Sequence, residues 1–189
     1  MVIGFAMCGS FCTIGKCTAV LKNLKETGLD IIPIMSERVY STDNRFNKAR
    51  DLTDEVEEIC KHKVISTITG AEPIGPKKLL DALIIAPCTG NTLAKLANGV
   101  TDSSVTMAAK AHLRNKRPLI IGVSTNDGLS NSAKNIGVLL NMKNVYFVPF
   151  GQDDPINKQT SLVAHMDKIE ETLNFALKGE QIQPLLIQR

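Results

Sequence analysis

The sequence predicts an α/β protein built on a doubly wound, mainly parallel sheet with helices on both faces. Three observations carry that expectation. Short, continuously apolar runs such as VIGFAM at 2–7, DALIIAP at 81–87 and PLIIGV at 118–123 alternate with stretches at helical spacing. Parallel strands read as unbroken apolar runs because their crossover helices cover both faces of the sheet. Small polar residues gather just after these runs, at the carboxyl ends of the strands where open α/β sheets bind ligands. Rossmann-like or flavodoxin-like folds satisfy all three.

The elements follow in order. VIGFAM is the first strand, and Ile14, Cys17, Leu21 and Leu24 recur at three- and four-residue spacing along a helix that stops at Gly28. DIIPIM at 30–35 is a second strand, and KARDLTDEVEEICKH at 48–62 a charged amphipathic helix. VISTITGAEPIGPKK at 64–78 reads as a short strand and then a Pro- and Gly-punctuated loop, a candidate substrate or partner contact. After the strand at 81–87 the pattern predicts helices at 91–98 and 102–115. The strand at 118–123, a helix near 131–141, the strand VYFVPFG at 145–151 and a final helix near 160–177 complete the chain. No internal repeat or low-complexity linker interrupts it, so residues 1–189 are expected to form a single domain.

Composition narrows the function classes. The chain is 43% hydrophobic and 22% charged, with a formal charge of +3 and sparse aromatics. Its Lys and Arg residues are scattered, which argues against nucleic-acid binding and suits an acidic small molecule better. The apolar opening has no basic residue before it and runs on into a helix, so it reads as a strand rather than an export signal. No apolar run approaches the roughly 20 residues of a membrane span. A cytoplasmic protein is expected. Cys8, Cys12, Cys17, Cys60 and Cys88 make an odd set without paired CxxC motifs. The first three are close enough to raise a metal or redox role, but their spacing favours small buried thiols, with no metal site.

Three strand ends carry the candidate chemistry. At the first, Gly9 permits close backbone approach and Ser10 could cap the helix or offer its hydroxyl to an anion at the positive N-terminus. A capped turn and a phosphate site are both open there. The GxGxxG fingerprint is absent, which disfavours a standard NAD site. At the second, Pro87 lacks a donor and Gly90 relaxes the backbone, while Thr89, Asn91 and Thr92 surround another helix start with more donors and acceptors than one cap needs. Ser124, Thr125, Asn126 and Asp127 form the third. Together they would surround a planar, phosphorylated cofactor.

APCTGNTLAKLANGVTD at 86–102 resembles the APxTxNTxxKxAxGxxD signature of the FMN-binding flavoproteins, a family that includes cysteine-peptide decarboxylases and flavin prenyltransferases. The segments SERVYSTDNRFNKA, GAEPIGPKK with the run that follows it, and VYFVPFGQDDPINK narrow the resemblance to a branch of endospore-forming bacteria. That branch implies an oxidoreductase-type activity shared with a separate Rossmann-type partner bearing NAD(P). Its product would be dipicolinate, made from a dihydrodipicolinate-type precursor during sporulation. It also implies a homo-oligomer. The decarboxylases' PxMNxxMW motif is replaced here by Val123–Leu129, and only Asn126 carries over, which disfavours a cysteinyl substrate.

The resemblance further implies that FMN phosphate lies near Gly9, Ser10 and Ser36. It sets the ring near Pro87, Thr89, Asn91 and Thr92, with Ser124 and Asn126 at the later strand end. Asp102 and Thr106 would steady the second turn, although Asp102 or Thr101 capping the next helix explains them equally. A dicarboxylate substrate requires cations, and Arg suits best because its planar donors match a carboxylate. Arg45 leads the candidates Lys77, Lys78 and Arg114, since STDNRFN follows the second strand end. His62, His112 and His165 are poorly placed for proton transfer, and no catalytic residue is assigned. A decarboxylase or prenyltransferase, or a noncatalytic partner-binding protein, remains the alternative.

Overall fold

The computed structural model describes residues 1–188. Strand β1 (Val2–Met7) leads through Gly9 into helix α1 (Phe11–Glu26), which buries Ile14, Cys17, Leu21 and Leu24, the stripe its spacing predicts. β2 (Asp30–Met35) lies parallel to β1, and Ser36 caps the short helix α2 (Glu37–Ser41) by accepting the Val39 N–H. Sequence periodicity does not register so short a turn. α3 (Ala49–Cys60) buries Leu52, Val56 and Cys60, and Lys61 ends it in the left-handed region at φ 60°.

The short strand expected after Val64 is reduced to one bridge, Ile34 to Ile65. The chain then forms α4 (Ile68–Ala71) and a 3-10 turn at Glu72–Ile74. β3 (Ala82–Cys88) is buried throughout and continues through Thr89 into α5 (Gly90–Ala97). The loop before β3 packs on the next helix, α6 (Ser104–Leu113): a Cβ on Gly75 would lie 2.8 Å from the Ala111 carbonyl oxygen. β4 (Leu119–Thr125), α7 (Ala133–Leu140) and β5 (Val145–Phe147) extend the parallel sheet.

The parallel strands run in the order β2-β1-β3-β4-β5. This is the flavodoxin-like order, whose winding reverses between β1 and β3. Ile3, Phe5, Ile84, Ile85, Ile120 and Ile121 are no more than 1% exposed. Each such side chain stabilises the fold by about 1.5–3 kcal/mol. One contiguous core joins this sheet to the helices on both of its faces.

The carboxyl-terminal third departs from expectation. VYFVPFG is two strands, β5 and β6 (Phe150–Asp154), separated at Pro149, which lacks the N–H a continuing ladder needs. Residues 158–164 do not begin the final helix; Lys158–Ala164 is strand β7, antiparallel to β6 and to the end of β4. Helix α8 (Ile169–Ala176) starts only after a 3-10 turn at Met166–Lys168. KQTSLVA carries no helical apolar face, and the end of β4 beyond its pairing with β5 offers it a ladder instead. No helix among the described residues is long and apolar enough to cross a membrane.

Candidate functional site

The reversal between β1 and β3 opens a crevice above their carboxyl ends. Two recesses fill it. One, of about 630 Å³, is lined from Gly9–Cys12, Thr89–Asn91 and Ser124–Asp127, and also by Arg45, Phe46, Asp153 and Lys158. The other, of about 780 Å³, is lined by Ser36, Arg38, Thr92, Lys95 and Asp102 among others. Gly9, Thr89 and Asn91 border both. Either volume lies within the range of about 300–1,000 Å³ usual for small-molecule sites.

Ser10 does not cap α1. Its hydroxyl lies 2.8 Å from Ser124 Oγ, which lies 2.8 Å from Thr13 Oγ1, so three hydroxyls tie the ends of β1 and β4 together. The first turn of α1 is thereby left without a side-chain cap; the Thr13 N–H returns to the Ser10 carbonyl at 2.9 Å, and the helix start, with its partial positive charge, borders the first recess. A Cβ on Gly9 would meet only Phe11 and Arg38 side chains, at 3.6 and 3.7 Å. Nothing within the protein forbids a side chain there; glycine keeps the crevice floor open. Ser36 spends its hydroxyl on the α2 cap and borders the second recess.

The β3 turn works differently. Thr89 caps α5 by accepting the Thr92 N–H at 3.3 Å, and Thr92 donates its hydroxyl proton to Cys8 Sγ at 3.2 Å. With that proton committed, the 3.1 Å contact between the two threonine hydroxyls has Thr89 donating, which leaves Thr89, on the border of both recesses, one lone pair unused. Asn91 is exposed and makes no side-chain hydrogen bond among the described residues. Pro87 does not face the recesses: it is buried within β3, and its carbonyl accepts the Cys8 N–H at 3.1 Å. It shapes the floor rather than lining it.

At the third strand end, Asp127 accepts from Thr125 Oγ1 at 2.6 Å and from Ser132 Oγ at 2.9 Å. Gly90 serves this cluster, since a Cβ on it would stand 2.5 Å from the Asp127 carboxylate. The requirement is close approach, not the backbone freedom read from sequence. Asp127 therefore occupies the N-terminus of α5 and complements its dipole, while the α1 N-terminus stays open. Asn126 is exposed and lines the first recess.

Several expectations need correction. Lys77 lies on the loop entering the amino end of β3, beside the carboxyl-terminal turns of α6, so it is at the opposite edge of the sheet from the crevice. Lys78 and Arg114 share that edge. Cys12 is exposed on the first recess; the other four thiols are buried, and burial raises Cys8 to about 11. Asp102 pairs with Lys95 at 2.8 Å, which holds its carboxyl below the usual range, and Ser103 rather than Asp102 or Thr101 caps α6 in a reciprocal box with Thr106. None of the three histidines lines either recess; His112 is buried on the Pro118 carbonyl, and burial lowers its pKa.

Sequence reasoning missed Phe11, Arg38, Phe46, Asp153 and Lys158. Arg38 needed the α2 turn to bring it over Gly9. Asp153 and Lys158 needed the hairpin, for which the run QDDPINK between two apolar segments was the available turn signal.

Comparison with known proteins matches residues 1–178 to a family described as Flavoprotein. The chain is 43% identical over 186 residues to the B subunit of dipicolinate synthase from Bacillus subtilis, covering 98% of this chain and 93% of that protein. The crystal structure of the B subunit of dipicolinate synthase from Bacillus halodurans superposes with a TM-score of 0.92 at 42% identity, covering 100% of this chain and 96% of the other. AnUbiX (PadA1), solved in complex with FMN and dimethylallyl pyrophosphate, shares the fold at 20% identity with a TM-score of 0.60, over 93% of this chain and 87% of that one.

Proposed function

The chain belongs to the Flavoprotein family, and on that premise we propose that it serves as the B subunit of a dipicolinate synthase, holding FMN at the β1/β3 reversal and acting with that enzyme's Rossmann-type A subunit. The full-length likeness to the B subunits of two Bacillus dipicolinate synthases, one in sequence and one in fold, carries this reading.

The residues present suit FMN. An uncapped helix start, the open floor at Gly9 and the Arg38 guanidinium, which pairs with no carboxylate among the described residues, form an anion cradle beside Ser36. Thr89, Asn91 and Asn126 supply hydrogen-bonding groups for a planar ring, braced by the committed hydroxyls of Thr92 and Ser124, with Phe11 as an apolar wall. When bound, the flavin supplies a ring able to accept a hydride. Turning a dihydropyridine dicarboxylate into dipicolinate removes one hydride and one proton. The chain's part is to orient the ring dicarboxylate in the first recess, where Arg45 has its guanidinium 4.7 Å above the Phe46 ring and pairs with no carboxylate among the described residues.

NAD(P) is assigned to the partner, because this chain lacks the glycine fingerprint of a dinucleotide site. Self-association and a cytoplasmic setting belong to the same proposal. Exposed Leu129 and Val138 give self-association an apolar surface. The decarboxylase alternative is weakened by Val123–Leu129, whose Asp127 and Gly128 are committed to packing against Gly90 and Leu162.

Reconstitution tests the proposal. The chain, its Rossmann-type partner, the dihydro precursor and nicotinamide cofactor should form dipicolinate only when both proteins are present. Full activity from either protein alone would overturn it. Flavin absorption that survives desalting, and weakens in Asn91→Ala, tests the cofactor separately.

A further inference from the structure

We propose that the β6–β7 hairpin supplies a second carboxylate grip: Lys158, aimed by Asp153, holds one carboxylate of a ring dicarboxylate in the first recess while Arg45 holds the other. This rests on the dicarboxylate reading above and adds a residue and an element to it.

Four charged side chains line that recess: Arg45, Asp127, Asp153 and Lys158. Asp127 is consumed by Thr125, Ser132 and the α5 N-terminus. Lys158 Nζ lies 2.7 Å from Asp153 Oδ2, in a pair whose side chains are 60% and 28% exposed. An ammonium carries three N–H donors. Asp153 engages one and fixes its direction, and the others remain for a ligand. The same contact raises the Lys158 pKa, so the group stays cationic.

The hairpin is fastened firmly enough to set that position. Thr160 Oγ1 donates to the Asn126 carbonyl at 2.7 Å, and Leu129 N–H donates to the Thr160 carbonyl at 2.9 Å. Gly128 lets Leu162 close in, since a Cβ there would lie 2.6 Å from Leu162 Cγ. Lys158 is two residues from Thr160 and opposite Asp154 in the ladder. The ammonium thus enters from the hairpin side and Arg45 from the segment after α2. Two cations from separate elements on one recess match a ring bearing two carboxylates better than a ligand bearing one. Phe46, beneath the Arg45 guanidinium, gives the ring an apolar neighbour.

Calorimetric titration of the full chain with dipicolinate and with picolinate, which has one carboxylate, tests this. The unaltered chain should prefer dipicolinate. Lys158→Gln should weaken dipicolinate about tenfold to a hundredfold, as expected for loss of one charge-assisted contact, and change picolinate less than about threefold. Lys158→Arg should restore most of the preference, which excludes misfolding as the cause. If Lys158→Gln keeps the unaltered preference while Arg45→Gln weakens both ligands, the hairpin grip is overturned and the dicarboxylate reading stands. If the unaltered chain binds neither ligand, both fall.

Discussion

The parallel strands and the β6–β7 hairpin meet on β4, and they contribute to the crevice by opposite means. β1, β3 and β4 are buried nearly throughout, and much of what they present at their ends is already committed: Ser10 to Ser124, Thr92 to Cys8, Asp127 to Ser132. The hairpin is buried only where it joins the core, at Phe150 and at Ser161, Leu162 and Ala164, and its half-buried and exposed remainder presents an ion pair at the surface. Buried hydroxyl networks hold one geometry because breaking them strands a polar group. Exposed ion pairs contribute little to stability, and the donors an ammonium keeps beyond its partner can be taken up by a ligand without unsettling the fold. A rigid cofactor is best held by the first and an incoming charged substrate by the second.

The largest effect that would break this contrast lies at Gly90. A methyl group there falls 2.5 Å from Asp127 Oδ1, 2.6 Å from Ser132 Oγ and 2.7 Å from Thr125 Oγ1. Either α5 shifts or the carboxylate loses its hydroxyls. Gly90→Ala should therefore cost about 3 kcal/mol in urea denaturation, combining overpacking with loss of buried hydrogen bonds. A loss below about 0.5 kcal/mol would mean that the cluster is as yielding as the hairpin.

Next in size is an alkaline transition. Burial raises Cys8 from an ordinary 9.0 to about 11. The folded state then keeps a proton that the unfolded chain loses, so stability is intact below about pH 9 and falls as pH rises toward 11. The loss is about 2–3 kcal/mol for this thiol. Denaturation midpoints across that range should show the fall, and Cys8→Ala should flatten part of it.

The hairpin should respond more gently. In Gly128→Ala the new methyl meets Leu162 Cγ and Cβ at 2.6 and 2.7 Å, so the turn after β4 must ease away from β7, which costs packing but breaks no buried carboxylate cluster. We expect a loss of about 1–2 kcal/mol. Hydrogen exchange should quicken at Leu129 and along β7 while β1 and β3 stay protected.

The same contrast explains what is legible in the sequence. The parallel strands announce themselves because burial on both faces leaves only apolar residues, and the helix stripe of α1 follows from one buried face. The polar strand ends follow from the same pattern, so Gly9, Thr89, Asn91, Ser124 and Asn126 stand out and the first recess brings them together. Lys158 is hidden because KQTSLVA is half exposed and owes its strand state to pairing with β4 and β6. Arg38 is hidden because a single helical turn has no period to detect. Lys77 misleads because chain proximity to DALIIAP says nothing of which end of the strand a loop attends. Ser10 looks like a cap because caps are local, whereas its partner Ser124 lies 114 residues away.

The smallest effect is the sharpest test of whether cofactor and substrate are held by separable regions. Thr92→Val keeps the volume near α5 and removes only a hydroxyl, leaving Thr89 without its acceptor and Cys8 without its donor. The stability loss should be about 1 kcal/mol. Once its partner is gone, the Thr89 hydroxyl turns, and its unused lone pair turns with it. FMN affinity should then fall about fivefold, while the preference for dipicolinate over picolinate, set by Arg45 and Lys158, should hold. Lys158→Gln should give the converse. If Thr92→Val erodes that preference as much as it weakens FMN, the relay from Cys8 through Thr92 to Thr89 also positions the substrate, and the division between a committed wall and an exchangeable hairpin fails.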